Sequence, residues 1–215
     1  MKTALQFLSQ LKENNNREWF NAHKDLYETA LQEFKSFMQH VYQAIAATDS
    51  IEPPKVFRIY RDLRFSKDKT PFKTNFGAYF MRGKGGYYFH LEPGNIFGGG
   101  GFWHPEKEDL VRIRKELEYN PTDIKKITRT ASFKKYFDEI KGDELKTIPK
   151  GFDKEAEAAD LIRKKDFLLL KRYTDKQAQA PGFREEMIDV FKAAKPFLVY
   201  MSDVLSTDLN GEPIA

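Results

Sequence analysis

The chain has 215 residues, of which 40% are hydrophobic and 14% aromatic, and its 36 basic and 32 acidic side chains give a net charge of +4. A chain of this length can bury roughly 70% of its unfolded surface in one domain. It contains no cysteine, which excludes disulfides, thiolate metal sites and cysteine nucleophiles. A net charge this small gives no argument for a nucleic-acid partner.

The N-terminal stretch carries a short apolar run broken by Gln and Ser, so we predict no secretory signal peptide. No apolar run is long enough to cross a bilayer, and no membrane partner is expected. Together with the lack of cysteine, this pattern predicts a cytoplasmic protein.

Apolar residues at helical spacing predict a first helix over residues 3–14. Asn16 is placed to cap a second helix. The apolar stripe from Trp19 to Ile45 predicts that this second helix is long and continuous.

The period of the pattern then changes, because β-branched and aromatic residues dominate short runs separated by Gly and Pro. The predicted strands cover 56–60, 76–82, 87–92, 95–103 and 167–173. The predicted later helices cover 106–119, 121–130, 133–140 and 183–205, with a kink or break near Pro196. This order predicts one α+β domain over residues 1–215, in which helices from the N- and C-terminal parts cover a central antiparallel meander.

The segment from Arg58 to Lys73 carries six basic residues against two acidic ones, whereas the remaining sequence is balanced. Guanidinium groups bind phosphate or carboxylate in a bidentate manner, and lysines add point charge. Asp62 is expected to orient the arginines. The alternative is a solvated loop with arginine–aspartate pairs that fix strand register.

Four glycines in a row, Gly98 to Gly101, lie inside a predicted strand. Missing side chains can let a ligand approach the backbone. They can equally accommodate a bulge or the packing of nearby aromatic rings. The run is not a phosphate-binding loop, because the Lys-Ser/Thr pair and the helix that should follow are missing.

His90 and Glu92 lie two apart on a predicted strand and therefore face the same way, which suits a general acid–base pair. His23 lies on the apolar stripe of the second helix, where a hydrogen-bonded histidine at the edge of the core is the ordinary interpretation. We predict no metal site and no cofactor, because four histidines and no cysteine give few ligands.

Three stretches of the chain carry a family resemblance: Asn15–Phe20, Arg58–Lys73, and Gly86–His90 leading into the glycine run. With Pro149–Phe152, the chain resembles the DUF2461 family of conserved hypothetical proteins over nearly its full length. The resemblance implies an α+β domain in a cytosolic bacterial protein, and it brings no known substrate, cofactor or catalytic residue.

The leading hypothesis is a binding or enzymatic domain for a small anionic, phosphorylated ligand. The candidate ligand-binding residues are Arg17, Arg58, Arg61, Arg64, Lys67, Lys69, Lys73, Gly99 and Gly100. The candidate catalytic residues are His90, His23 and Asp62. Two alternatives stay open: a nucleic-acid binding or processing protein, in which aromatic side chains stack on bases, and a module that binds a protein partner without catalysis. The sequence leaves the reaction and the oligomeric state open.

Overall fold

A computed structural model describes residues 1–64 and 66–207 of the chain. Five strands in this described part form one antiparallel sheet in the order β1-β2-β3-β4-β5. Their bounds are β1 Lys55–Val56, β2 Phe76–Arg82, β3 Gly85–Leu91, β4 Ile96–Phe102 and β5 Phe167–Tyr173. The sheet order equals the chain order, so the strands form a meander.

Helices precede and follow the first four strands. Their bounds are α1 Lys2–Glu13, α2 Arg17–Ala22, α3 Lys24–Ala46, α4 Lys107–Tyr119, α5 Pro121–Arg129, α6 Ala131–Tyr136, α7 Ala159–Ile162, α8 Asp175–Ala178 and α9 Phe183–Ser206. The predicted α+β class and the antiparallel meander are confirmed. No helix in the described part of the chain has both the length and the apolar character needed to span a membrane.

The chain groups into two compact units whose sequence ranges interleave. The first unit comprises Met1–Phe80, Tyr88–Gly98 and Arg172–Asp189. The second unit comprises Met81–Tyr87, Gly99–Lys171 and the chain from Val190 onward. Strands β2 to β5 and helix α9 each contribute to both units.

Aromatic rings build the core of the first unit. Phe7 of α1 stacks on Phe76 of β2 with ring centroids 6.2 Å apart, and Phe34 of α3 lies 5.4 Å from the same ring. Phe34 also stacks on Phe89 of β3 at 6.0 Å. These four side chains are fully buried, so the helices α1 and α3 cover one face of the sheet in this unit.

The second unit has its own core and a buried arginine. Tyr87 of β3 stacks on Phe191 of α9 at 4.9 Å. The guanidinium of Arg114, on α4, donates from Nε to the carbonyl oxygen of Ile162 at 2.8 Å and from Nη2 to that of Lys164 at 3.0 Å. Burial lowers the pKa of Arg114, and the two carbonyl oxygens accept from two of its N–H groups.

Several predicted elements differ from the structure, and the second predicted helix differs most. The helix expected to run without interruption from Trp19 is divided at His23, whose backbone (φ −116°, ψ 28°) leaves the helical region. The ring of His23 stacks on Trp19 at 4.2 Å, and its Nδ1 lies 2.8 Å from the Trp19 carbonyl oxygen. The side chain therefore folds back on the short helix α2 and stabilises a turn there. The Asn16 cap is as predicted, because its side chain accepts from the Trp19 backbone N–H at 2.9 Å.

The strand expected over 56–60 is shorter than predicted, because ladder pairing with β2 covers Lys55 and Val56. The chain then pairs with itself across the basic segment through an isolated antiparallel bridge between Tyr60 and Phe72. In addition, α6 begins earlier than predicted, with Thr130 as its cap. Of the kink or break predicted near Lys195, the break does not occur, because the final helix continues through Pro196.

Candidate functional site

A recess of about 620 Å³ lies in the first unit where the end of α1 meets the basic segment. Asn15 holds the two together: its side-chain amide donates to the carbonyl oxygen of Phe72 at 2.9 Å and accepts from the Phe72 backbone N–H at 3.1 Å. The lining residues are Lys12, Asn15, Arg61, Asp62, Asp68, Thr70, Phe72, Lys73, Thr74 and Asn75.

Two arginines of the basic segment are paired with aspartates. The Arg61 guanidinium bonds Asp68 and also donates to the Thr70 hydroxyl at 2.8 Å. Hydrogen bonds from the backbone and side chain of Thr70, together with Arg61, lower the pKa of Asp68. The Arg64 guanidinium donates to both oxygens of Asp62, with the shortest bond at 2.6 Å, and this contact lowers the pKa of Asp62.

Two lysines of the recess lack such partners. Within residues 1–64 and 66–207, neither Lys12 nor Lys73 forms a salt bridge. The Lys73 ammonium lies 5.8 Å from the ring centroid of Phe57, which is a weak cation–π contact. The two carboxylates of the lining are each occupied by an arginine, so the two lysines provide the free positive charge.

A hydrogen-bonded chain of three side chains follows strand β3 on one face. His90 Nε2 lies 3.3 Å from a Glu92 oxygen, and His90 Nδ1 lies 3.1 Å from the Tyr88 hydroxyl. A carboxylate can only accept, so Nε2–H donates to Glu92. In the neutral imidazole Nδ1 is then the acceptor, and it receives a hydrogen bond from the Tyr88 O–H. The chain can therefore pass a proton between Tyr88 and His90.

The surroundings of this chain favour a neutral histidine. Burial lowers the pKa of His90 and outweighs the opposite effect of Glu92. Burial acts to raise the pKa of Glu92, but hydrogen bonds from Asn95, Thr74 and His90 lower it overall. Burial, and then the charge of Glu92, raise the pKa of Tyr88. At neutral pH the geometry thus holds a carboxylate, a neutral imidazole and a phenol.

Two neighbouring residues connect this chain to the recess. Thr74 donates from its hydroxyl to Glu92 at 2.8 Å, and the Asn75 amide nitrogen lies 3.5 Å from His90 Nδ1. Both Thr74 and Asn75 line the recess. A ligand that contacts the Asn75 amide therefore lies one side chain away from His90.

The predicted site residues fall into two groups. The recess brings together Arg61, Asp62 and Lys73, and the adjoining hydrogen-bonded chain contains His90. The residues that lie outside the lining, within the described part of the chain, are Arg17, Arg58, Arg64, Lys67 and Lys69. Lys69 donates instead to the carbonyl oxygen of Leu63 at 3.1 Å. His23 is outside it as well, since it is hydrogen-bonded to its own helix turn. The basic segment is thus divided between recess and surface.

The glycine run meets protein atoms on both sides. A Cβ at Gly99 would clash with the carbonyl oxygen of Leu169 in β5, and one at Gly100 would lie 3.0 Å from the Leu198 side chain. A Cβ at Gly98 would lie 2.5 Å from the sulfur of Met187. The packing interpretation of these glycines therefore explains their presence without a ligand.

Sequence reasoning missed several residues of the site. Tyr88 could have been found, because it lies two positions before His90 on the same strand face. Lys12 and Asn15 could not, because the contact between Asn15 and Phe72 joins residues 57 positions apart. Asn95 and Arg172 were missed for the same reason, since Arg172 Nη1 donates to the Asn95 oxygen at 2.9 Å from the other end of the sequence.

A family model for conserved hypothetical proteins matches residues 3–200, a range that contains the whole recess and the hydrogen-bonded chain of β3. The chain belongs to the DUF2461 family. No curated protein and no solved structure matches it. Within the described residues of this DUF2461 chain, no three His, Cys, Asp or Glu side chains group together as a metal site.

Proposed function

We propose that this DUF2461 protein binds a small phosphorylated ligand in the recess between α1 and the basic segment. The supporting observation is that the ammonium groups of Lys12 and Lys73 line the recess without a carboxylate partner in the described part of the chain. Charged donors and neutral hydrogen-bond donors together recognise phosphate oxygens.

A neutral donor of the recess adds to the proposed contacts. Asn75 offers an amide N–H, whereas the single hydroxyl protons of Thr74 and Thr70 are donated to Glu92 and Asp68. The Arg61 guanidinium is held in place by Asp68 and Thr70. A fixed arginine of this kind positions the neighbouring polar groups and contributes little net charge, because Asp68 neutralises it. The charge that selects an anion therefore comes from the two lysines.

His90 is the proposed proton carrier if the bound ligand reacts. Its Nδ1 accepts from Tyr88, and the Asn75 amide connects it to the recess. A lowered pKa keeps the imidazole neutral at neutral pH, and as a general base it would take up a proton at Nδ1 once the Tyr88 hydroxyl has turned to another acceptor. Glu92 would orient the ring by accepting from Nε2.

Calorimetric titration with ribose 5-phosphate tests the binding. We expect saturable binding to the wild-type protein and an affinity lower by about tenfold in Lys73→Gln, which corresponds to about 1.4 kcal/mol. The matched control is Lys24→Gln, an exposed lysine outside the recess, which removes the same charge and should leave the affinity unchanged. Equal losses in both variants would show that net charge alone attracts the ligand and would contradict the proposed site.

A further inference from the structure

A row of aromatic rings lies on the sheet face that carries Tyr88 and His90. Phe57 lies 6.2 Å from Tyr88, and Tyr88 lies 5.9 Å from Phe97 of β4. His90 stacks on Phe97 with centroids 4.7 Å apart and planes inclined by 9°. This row belongs to the first unit, the unit that contains the recess.

Gly77 of β2 makes room for the first two rings of the row. A Cβ at this position would lie 2.7 Å from the Tyr88 hydroxyl and 3.2 Å from Cδ2 of Phe57. Real side chains almost never approach that closely, so the rings of Phe57 and Tyr88 occupy the space above a bare strand. The backbone of Gly77 therefore forms the surface on which these two rings pack, and a side chain at this position would displace them.

The rings of this row differ in how much of each ring is accessible to a ligand. The face of Phe97 is covered by His90 and by the Arg172 guanidinium, which lies 5.4 Å from its centroid. Tyr88 and His90 are half-buried and joined by their hydrogen bond. Phe57 is 38% exposed, and it is therefore the ring of the row that a ligand can reach.

Lys73 joins this exposed ring to the recess. Lys73 lines the recess, and its ammonium group lies over the Phe57 ring, 5.8 Å from the centroid. A phosphate that draws this ammonium group toward itself would uncover the face of Phe57 within reach of the group that the phosphate carries. Planar bases stack on aromatic side chains regardless of their hydrogen-bond pattern.

Building on the proposed phosphate site, we propose that the ligand is a mononucleotide whose base stacks on Phe57 while Lys73 and the recess hold its phosphate. The phosphate would then contact the recess and the base would contact the Phe57 ring, and Lys73 would lie at the border of these two surfaces. The recess volume of about 620 Å³ lies in the range of small-molecule sites, which favours a mononucleotide over a polymer backbone.

Calorimetric titrations with AMP and with ribose 5-phosphate test this inference, because the two probes differ by the base. We expect wild-type protein to bind AMP about tenfold more tightly than ribose 5-phosphate, since stacking on one ring contributes that much. Phe57→Leu should remove this preference and leave ribose 5-phosphate binding unchanged. Phe57→Tyr keeps a ring and should retain the preference.

The control is Tyr119→Leu, which removes another exposed ring, 71% accessible, outside the recess and should change neither affinity. Equal wild-type affinities for the two probes would overturn the mononucleotide inference while the phosphate site stands. Binding of neither probe would overturn both proposals. A single-stranded oligonucleotide that binds tightly, with an affinity that falls steeply with salt, while AMP does not bind, would replace the mononucleotide by a polymer.

Discussion

The two faces of strand β3 in the first unit are built differently. Phe89 and Leu91 point to the helix-covered face and are fully buried. Tyr88 and His90 alternate with them on the other face and remain partly exposed. The helix-covered face is held together by close packing of apolar side chains, and the other face by hydrogen bonds among polar groups.

This difference indicates which face can change without loss of the fold. Apolar side chains in a close-packed core are replaced only at a cost in free energy. The polar chain gives little net stability, because its groups would also be hydrogen-bonded to water in the unfolded state. The polar chain can therefore be substituted with little loss of stability, and it lies beside the recess to which we assign the proposed ligand.

The largest expected effect is a stability loss on the covered face. Phe89 contacts Phe34, Phe37 and Phe183, so Phe89→Ala leaves a cavity and should lower the free energy of unfolding by about 3–5 kcal/mol. Tyr88→Phe, on the other face, should cost about 1 kcal/mol or less. Urea denaturation of both variants measures the difference, and similar losses would contradict the contrast between the faces.

The glycine run extends the same comparison to β4. Gly99→Ala should destabilise by about 3 kcal/mol, because the new methyl group meets the backbone of Leu169, which cannot move aside. Gly100→Ala meets a methyl group of Leu198 at 3.0 Å, which can rotate, and the carbonyl oxygen of Gly86 at 3.2 Å, a milder approach than that at Gly99, and should destabilise by about 1 kcal/mol. Thermal unfolding of the pair measures both. If Gly99→Ala is as stable as Gly100→Ala, the close approach of β5 does not require glycine at position 99.

The polar face should make stability depend on pH. The folded-state pKa of His90 is lowered from 6.5, so above pH 6.5 the ring is neutral in both states and the fold carries no penalty. As the pH falls below 6.5 the unfolded chain takes up the proton first, and stability decreases. Glu92, whose pKa is lowered from 4.5, adds a further decrease below that value.

His90→Gln should therefore flatten the pH dependence just below pH 6.5 while leaving the decrease below pH 4.5. Urea midpoints measured from pH 8 to pH 4 report both windows. A wild-type protein more stable at pH 5.5 than at pH 7.5, or an unchanged slope in His90→Gln, would refute the assigned environment of the imidazole.

The smallest expected effect concerns the exposed part of the basic segment. The Arg64 side chain is 77% exposed and pairs with Asp62, so Arg64→Gln should leave thermal stability unchanged within error. Because Arg64 neutralises Asp62, a carboxylate of the recess lining, the same substitution should lower ribose 5-phosphate affinity by less than the tenfold expected for Lys73→Gln. A loss as large as that of Lys73→Gln would mean that the anion site extends along the basic segment.

Much of the fold could be predicted from the sequence, because local patterns determine it. The bounds of β2 and β5 match those predicted to the residue, since glycine clusters and alternating apolar residues set the ends of β2 and a short apolar run defines β5. The interruption at His23 could not be predicted, because it depends on a side-chain contact with Trp19 in the preceding turn. The early end of β1 could not be predicted, because the β-branched and aromatic pattern continues to Tyr60, which forms an isolated bridge instead of a longer strand.

The site was predicted less well than the fold. The alternation of β3 is visible in the sequence and places His90 and Glu92 on one face. The division of the basic segment is not visible, because it depends on which arginine finds an aspartate at contact distance. Asp68 pairs with Arg61, seven positions away, and no periodicity dictates that pairing. Because the arginines are paired, the lining cations without a carboxylate partner in the described part of the chain are Lys73 and Lys12, and Lys12 lies far earlier in the sequence, on helix α1.

An anion site formed by Lys12 and Lys73 is tested by a titration of ribose 5-phosphate followed by ¹H–¹⁵N NMR. We expect saturable shifts of the Asn15 and Asn75 side-chain amides and of the Thr74 backbone amide, and their loss in a Lys12→Gln/Lys73→Gln double variant. Shifts confined to other parts of the chain, or the same shifts in the double variant, would contradict it.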